Sequence, residues 1–161
     1  MSKKTFSHVD QAGNPTMVDV SAKKISHRVA RARAIVIPGK EIMDQIKNNE
    51  LITRKGPVFQ TAIIAGVMGA KQTSSLIPFC HPVGLDNCQV LISVSGDQIV
   101  IDTEAAVESK TGVEMEALTA ATIAALTIYD MCKALSHDIR IQEIKLMEKT
   151  GGKSDFKRDS K

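Results

Sequence analysis

The sequence predicts an α+β protein in which helices cover one face of a four-stranded antiparallel sheet. Three stretches predict it. RVARARAIVIP alternates charged or small residues with apolar ones, as a half-buried strand does. NCQVLISVSGDQIVIDTEAAVES reads as two strands joined by a short Gly-Asp turn. TGVEMEALTAATIAALTIYDMCKALS is a long helical run with too much Ala, Leu and Ile for a surface helix, so most of its circumference must be buried.

The elements follow in order. Residues 1–27 are polar, broken by Gly13 and Pro15, and read as an extended arm. In the first strand Arg31 and Arg33 point one way while Ala32, Ala34 and Val36 point the other, and Pro38 ends it. GKEIMDQIKNN places Ile42, Met43 and Ile46 at helical spacing. KGPVFQTAIIAGVMGAK opens with Pro57 where a first turn tolerates it, and a stripe of Val58, Ala62, Ala65 and Gly69 implies close packing on a neighbour. The loop LIPFCHP comes next. Val90, Ile92 and Val94 alternate before the Gly-Asp turn, and Ile99 and Ile101 after it. DIRIQEIKLME is the last strand, and KTGGKSDFKRDSK a basic tail expected to be mobile. Without the short first helix the order is β-α-β-β-α-β, the split, ferredoxin-like arrangement. One domain is expected over residues 1–161, with an arm at 1–27, a core at 28–148 and a flexible basic tail at 149–161. The sheet face without helices needs a cover, which implies self-association.

Bulk properties narrow the class. The chain has 161 residues, 43% hydrophobic and 24% charged, which suits one domain with a real core. No apolar run approaches the ~20 residues of a membrane helix, and MSKKTFSHVDQAGNP lacks the apolar centre of a secretion signal. A cytoplasmic protein that does not bind membrane is expected. Three cysteines, Cys80, Cys88 and Cys132, without CxxC spacing fit a reducing compartment. Net charge is +3, compatible with anionic ligands. Aromatic residues make up 3%, and Trp is absent, which argues against stacking on single-stranded nucleic acid.

Several constellations carry chemistry. Cys80 and His81 stand side by side between Pro78 and Pro82. A structural zinc site needs four ligands in spaced pairs, and no second pair complements them; His8 and His27 lie in the arm and His137 beyond the long helix. Cys80 reads as a small buried hydrophobe. For His81, a structural histidine and an acid, base or anion contact on a stiff loop both stand. GGKS at 151–154 resembles the end of a phosphate loop, but Met147 occupies the position of the required glycine and no helix-length segment follows. Glu114 and Glu116 favour a positive helix start, yet lie about 200° apart around the helix, so at least one needs a polar partner if the helix is buried. Asp130 and Lys133 can pair at i, i+3; with Ile128, Met131, Ala134 and Leu135 around them, a partly buried proton-transfer couple is expected. Glu116 and Asp130 are about 21 Å apart on a straight helix, too far for one small ligand within one chain. If both act, two chains build the site across a two-fold axis.

MVDVSAK, KGPVFQTAIIAGVMGAK, LIPFCHP, KTGVEMEALTAATIAALTIYDMCKAL and KTGGKS together resemble the cyclic pyranopterin monophosphate synthase (MoaC-type) family over nearly the whole chain, from Phe6 to Ser154. GVEMEALTAA…IYDMCKA is the most specific part. The resemblance implies a ferredoxin-like fold and a homohexamer, a trimer of dimers, with active sites at subunit interfaces. It also implies a lyase of molybdenum cofactor biosynthesis. The substrate would be 3′,8-cyclo-7,8-dihydro-GTP, supplied by a radical SAM GTP cyclase; the products are the pyranopterin cyclic phosphate and pyrophosphate, with no metal or organic cofactor. Matched position by position, the catalytic residues fall on Asp130, Lys133 and Lys55. Substrate binding falls on Phe79, Cys80, His81, Glu114, Met115 and Glu116. Phe79 departs mildly from the family pattern, and GGKSDF lacks a glycine often found after the serine. Lys149, Lys153 and Lys23 are expected to help hold the phosphates. The alternative is a non-catalytic oligomeric nucleotide-binding scaffold, which would need none of these side chains. An RNA-binding domain of the same fold would need an aromatic strand motif that is missing here.

Overall fold

Alternation in β1 (Ser26–Ile37) decides how the layers stack: Ala30, Ala32, Ala34 and Val36 are buried under the helices, and Arg31 and Arg33 face away. The computed structural model describes residues 9, 10 and 12–159, so the first eight residues of the expected arm, with His8, and the last two of the tail lie outside the described residues. After β1 come a single turn α1 (Lys40–Met43), a small hairpin of β2 (Ile52–Thr53) and β3 (Gly56–Pro57), then α2 (Val58–Lys71) and α3 (Thr73–Leu76). The chain continues through β4 (Asn87–Ser95), β5 (Gln98–Ser109), α4 (Glu114–Cys132), β6 (Arg140–Thr150) and β7 (Phe156–Lys157). The main sheet runs β4-β5-β1-β6-β7, antiparallel throughout. The fold is therefore α+β with an antiparallel sheet, as expected.

Three details differ from expectation. The sheet has five strands rather than four, because the tail turns back at Gly151 and pairs Phe156 with Lys149 and Lys157 with Glu148. Gly151 sits at φ +80°, a Cβ there would fall on the carbonyl oxygen of His27, and Ser26 Oγ donates to the Gly151 carbonyl at 2.8 Å. The expected helix GKEIMDQIKNN is one turn only, since Asn48 and Asn49 adopt positive φ and the chain reverses between Lys47 and Glu50. The helix-free sheet face does not ask for an apolar cover. Arg31 bridges Glu104 and Glu148 at 2.7 and 2.8 Å, Arg33 pairs with Asp102 at 2.7 Å, and Lys145 with Glu143 at 2.8 Å. Large exposed apolar side chains occur on both faces: Leu91, 66% exposed, on the open sheet face, and Ile64 and Met68, both 61%, and Leu126, 49%, on the helix layer.

The core is made of small residues, which lets backbones approach closely. Ala117, Ala120, Ala121, Ala124 and Ala125 of α4 are buried, facing the alanines of β1 and Ile99, Ile101 and Ala105 of β5. Thr103 Oγ1, buried in β5, donates to the Ala117 carbonyl at 2.8 Å and fixes α4 along the sheet. On α2 the buried stripe is Val58, Ala62, Gly66, Gly69 and Ala70; Ala65 is only half-buried. A Cβ on Gly69 would lie 2.6 Å from Ile123 Cγ1, and one on Gly66 3.0 Å from the Ala120 carbonyl. Overpacking of this kind costs about 1–3 kcal/mol, so Gly69→Val is expected to lower the unfolding free energy by that much and the denaturant midpoint with it. Gly84→Ala, with nothing within 4 Å of the new Cβ, leaves it unchanged.

Candidate active site

The two ends of α4 carry two different half-sites. At its N-terminal end, Phe79, Cys80 and His81 from the loop after α3 face Thr111, Gly112, Glu114, Met115 and Glu116 across a cleft of about 330 Å³. The stiff loop brings Cys80 and His81 to the helix start, where Glu114 and Glu116 sit in the positive first turn. Glu116 is 4% exposed, and burial pushes its carboxyl above the usual range, with the nearby charge of Glu114 adding to the rise. No ion pair neutralises it among the described residues, whereas Glu114 meets Lys149 at 3.1 Å. Burial and Glu116 also push the Cys80 thiol up, which makes it a poor nucleophile. His81 Nε2 donates to the Val18 carbonyl at 2.8 Å, which leaves Nδ1 to face other partners.

The same contact ties the arm to the site. Lys110 Nζ donates to the Ser21 carbonyl at 2.7 Å, so Val18 and Ser21 are both held against the start of α4. A second cleft of about 470 Å³ opens beside the first, and they share Thr111 and Gly112. Its walls bring five cationic side chains together: Lys23, Lys24, Arg28, Lys110 and Lys153. A smaller recess between them adds Lys149. One end of this region thus offers carboxylate acceptors, and the other offers cations for phosphates.

Asp130 stands at the far end of α4. Its Oδ1 is 2.7 Å from Lys133 Nζ and its Oδ2 is 2.6 Å from Lys55 Nζ. Lys55 reaches it from the tip of the β2–β3 hairpin, which turns at Gly56 with φ +110°. Glu50 steadies that hairpin: its carboxylate accepts from the backbone N–H groups of Phe59 and Gln60 at 2.8 and 3.1 Å and so caps α2. Hydrogen bonds from Lys133 and then Lys55 hold the Asp130 carboxyl down to about 2, and the same bond raises Lys133. The expected partial burial does not hold within one chain, because the side chains of Asp130 and Lys133 are both 52% exposed. Ile128 and Met131 are buried in the core rather than packed around the couple.

The structure therefore groups Phe79, Cys80, His81, Glu114, Met115, Glu116, Lys149 and Lys153 at one end of α4, and Asp130, Lys133 and Lys55 at the other. Sequence reasoning missed Lys24, Arg28 and Lys110. Arg28 had a signal: it shares strand parity with the buried Ala30 and Ala32, unlike Arg31 and Arg33, so a charge stood on the helix-facing side. Lys110 had one too, as the start of the KTG that precedes GVEMEAL.

Known proteins resemble this chain over most of its length. The family model described as MoaC family matches residues 17–152. A cyclic pyranopterin monophosphate synthase from Xanthomonas campestris pv. campestris (strain 8004) is 50% identical over 153 residues, which cover 94% of this chain and 92% of that protein. Molybdenum cofactor biosynthesis protein 1 of Dictyostelium discoideum is 47% identical over 92% of this chain, but the match spans 26% of that longer protein. A molybdenum cofactor biosynthesis bifunctional protein of Synechocystis sp. is 48% identical, covering 93% of this chain and 45% of its own length.

The Asp130 geometry has a direct consequence for titration. Carboxyl-carbon NMR of the wild type should place Asp130 near pH 2. Lys133→Met, which removes the largest cause, should move the midpoint up towards the ordinary 3.8; an unmoved midpoint would mean that the ion pair does not hold in solution.

Proposed function

The chain belongs to the MoaC family, and from that membership we infer that it carries out the cyclic pyranopterin monophosphate synthase reaction of molybdenum cofactor biosynthesis, as a lyase. One observation carries this reading to the residues: a carboxylate-lined cleft and a cation-lined cleft abut at Thr111 and Gly112. A ring system with N–H donors joined to a triphosphate, such as 3′,8-cyclo-7,8-dihydro-GTP, matches that pair of surfaces. Glu114 and Glu116 accept hydrogen bonds from the ring, His81 offers Nδ1, and Phe79, Cys80 and Met115 supply the wall. Lys23, Lys24, Arg28, Lys110 and Lys153, with Lys149, take the phosphates. Forming a cyclic phosphate requires a hydroxyl of the substrate to attack the α-phosphorus while the bond to the β-phosphate oxygen breaks. Cations around the departing pyrophosphate lower the barrier to that step.

Ring opening and closure need proton transfers, and these fall to Asp130, Lys133 and Lys55. At rest Asp130 is a weak base because two ammonium groups stabilise its charge. A triphosphate that draws Lys55 or Lys133 onto its own oxygens removes that stabilisation, so Asp130 becomes more basic as substrate arrives. The couple lies too far from Glu116 to act on the same molecule within one chain. The catalytic unit is therefore a pair of chains, consistent with a homohexamer arranged as a trimer of dimers. The strand order β4-β5-β1-β6 supports reading the core as ferredoxin-like with β7 added at one edge. Three free thiols suit a reducing compartment such as the cytoplasm. Relatives that carry this sequence inside longer molybdenum-cofactor proteins support a functional link with a second activity, for which a radical SAM GTP cyclase is the proposed supplier.

Incubation with 3′,8-cyclo-7,8-dihydro-GTP is expected to release pyrophosphate. Asp130→Asn and Glu116→Gln should each lower kcat roughly 10²-fold or more. Mixing the two variants through a dissociation and reassociation step should restore about a quarter of wild-type activity, because random pairing leaves one intact site in each mixed dimer. No recovery on mixing would place both groups in one chain's site.

A further inference from the structure

We propose that Glu50 is a positioning residue for this site, a carboxylate clasp across the base of the β2–β3 hairpin that sets how Lys55 meets Asp130. The proposal rests on the functional reading above, in which Lys55 acts on the substrate. Lys55 stands at the hairpin tip, between Thr53 and Gly56, and its Nζ donates to Asp130 Oδ2 at 2.6 Å and to the Asp130 carbonyl at 3.2 Å. The hairpin cannot hold that position alone. Its strands are two residues each and form a sheet of their own, apart from the main sheet. The Lys55–Asp130 pair cannot hold it either, because both side chains are half-exposed, at 53% and 52%, and such pairs contribute little.

The geometry is fixed at the base. Glu50 Oε1 accepts from the backbone N–H groups of Leu51 and Phe59, both at 2.8 Å, and Oε2 accepts from that of Gln60 at 3.1 Å. Leu51 precedes the first strand, and Phe59 and Gln60 follow the second. One carboxylate therefore grips both legs of the hairpin. Beside it the Val58 N–H donates to the Leu51 carbonyl at 2.9 Å, and Leu51, Val58 and Phe59 are buried, so the grip is anchored in the core. Upstream, Lys47 and Glu50 exchange backbone hydrogen bonds around Asn48 and Asn49, whose positive φ suits a two-residue turn. The local sequence explains why a distant side chain does this. The N-cap of α2 is Pro57, which has no side-chain oxygen, so the Phe59 and Gln60 N–H groups have no local acceptor. A capping side chain at position 57 would satisfy α2 but leave the Leu51 leg free. The groups facing Asp130 are Lys55 from the hairpin and Lys133 from the end of α4, with Tyr129 beside Lys133. Loosening the base withdraws Lys55 and leaves Lys133 in place.

Asp130 itself reports the clasp, without substrate. Carboxyl-carbon NMR of Lys55→Met should show the Asp130 midpoint above the wild-type value of about 2. Glu50→Ala is expected to raise it by most of that amount and to add nothing in the Lys55→Met background. A general loosening of the fold would disturb Lys133 too and would add to the Lys55→Met shift. Glu50→Gln, which keeps one acceptor oxygen for Leu51 and Phe59, should give a smaller rise, and it decides the matter if Glu50→Ala does not fold. Turnover should follow: kcat of Glu50→Ala falls roughly 10-fold, as misplacing a reacting group costs, and the double variant is no slower than Lys55→Met alone. An unmoved midpoint in Glu50→Ala, or in Glu50→Gln where the first does not fold, overturns the proposal, as does a double variant whose shift is the sum of the two. A midpoint that moves as expected in a protein inactive towards 3′,8-cyclo-7,8-dihydro-GTP supports the clasp and counts against the functional reading alone. Synthase activity with an unmoved midpoint counts against the clasp alone.

Discussion

The fixed length of α4 is the constraint on which the rest depends. The helix is locked in place: alanines bury its inner side, Thr103 holds the Ala117 carbonyl, and Gly66 and Gly69 of α2 leave no room to slide. A rod held this way cannot bend its two ends together. Whatever sits at Glu116 and whatever sits at Asp130 are kept about 21 Å apart in every protomer. Small-residue packing, which reads at first as a matter of core stability, thereby fixes the separation on which the proposed sharing of the site between chains rests.

The two ends are also set to opposite electrostatic states. Burial disfavours the charge of Glu116 and two lysines favour that of Asp130, so the carboxyls are displaced in opposite directions. Such divergence is what acid–base work needs at one pH. In the protomer alone, Asp130 is half-exposed and its ion pairs are open to solvent, where they contribute little to stability. Covering that end with a second chain would exclude water and strengthen the same contacts. On this reading the exposed Asp130–Lys133–Lys55 group is an unfinished site rather than a surface ion-pair cluster.

Much of this was legible in the residues. Period-two alternation placed Arg31 and Arg33 opposite the alanines of β1, and composition alone showed that α4 is buried. Helix rise alone separates Glu116 from Asp130. The misreadings share one cause, that sequence neighbours are not spatial neighbours. Ile128 and Met131 flank Asp130 in the chain but point into the core, so its burial was overestimated. β7 and the need for glycine at position 151 depend on the backbone of His27, more than a hundred residues away in sequence. The cation cleft joins the arm, β1, the start of α4 and the tail, and only folding assembles it.

The most direct measurement is a structure of the assembled Asp130→Asn protein with 3′,8-cyclo-7,8-dihydro-GTP bound. The shared-site account predicts one substrate molecule touching Glu116 of one protomer and Lys133 of its partner. A substrate whose every polar contact comes from a single chain would contradict it.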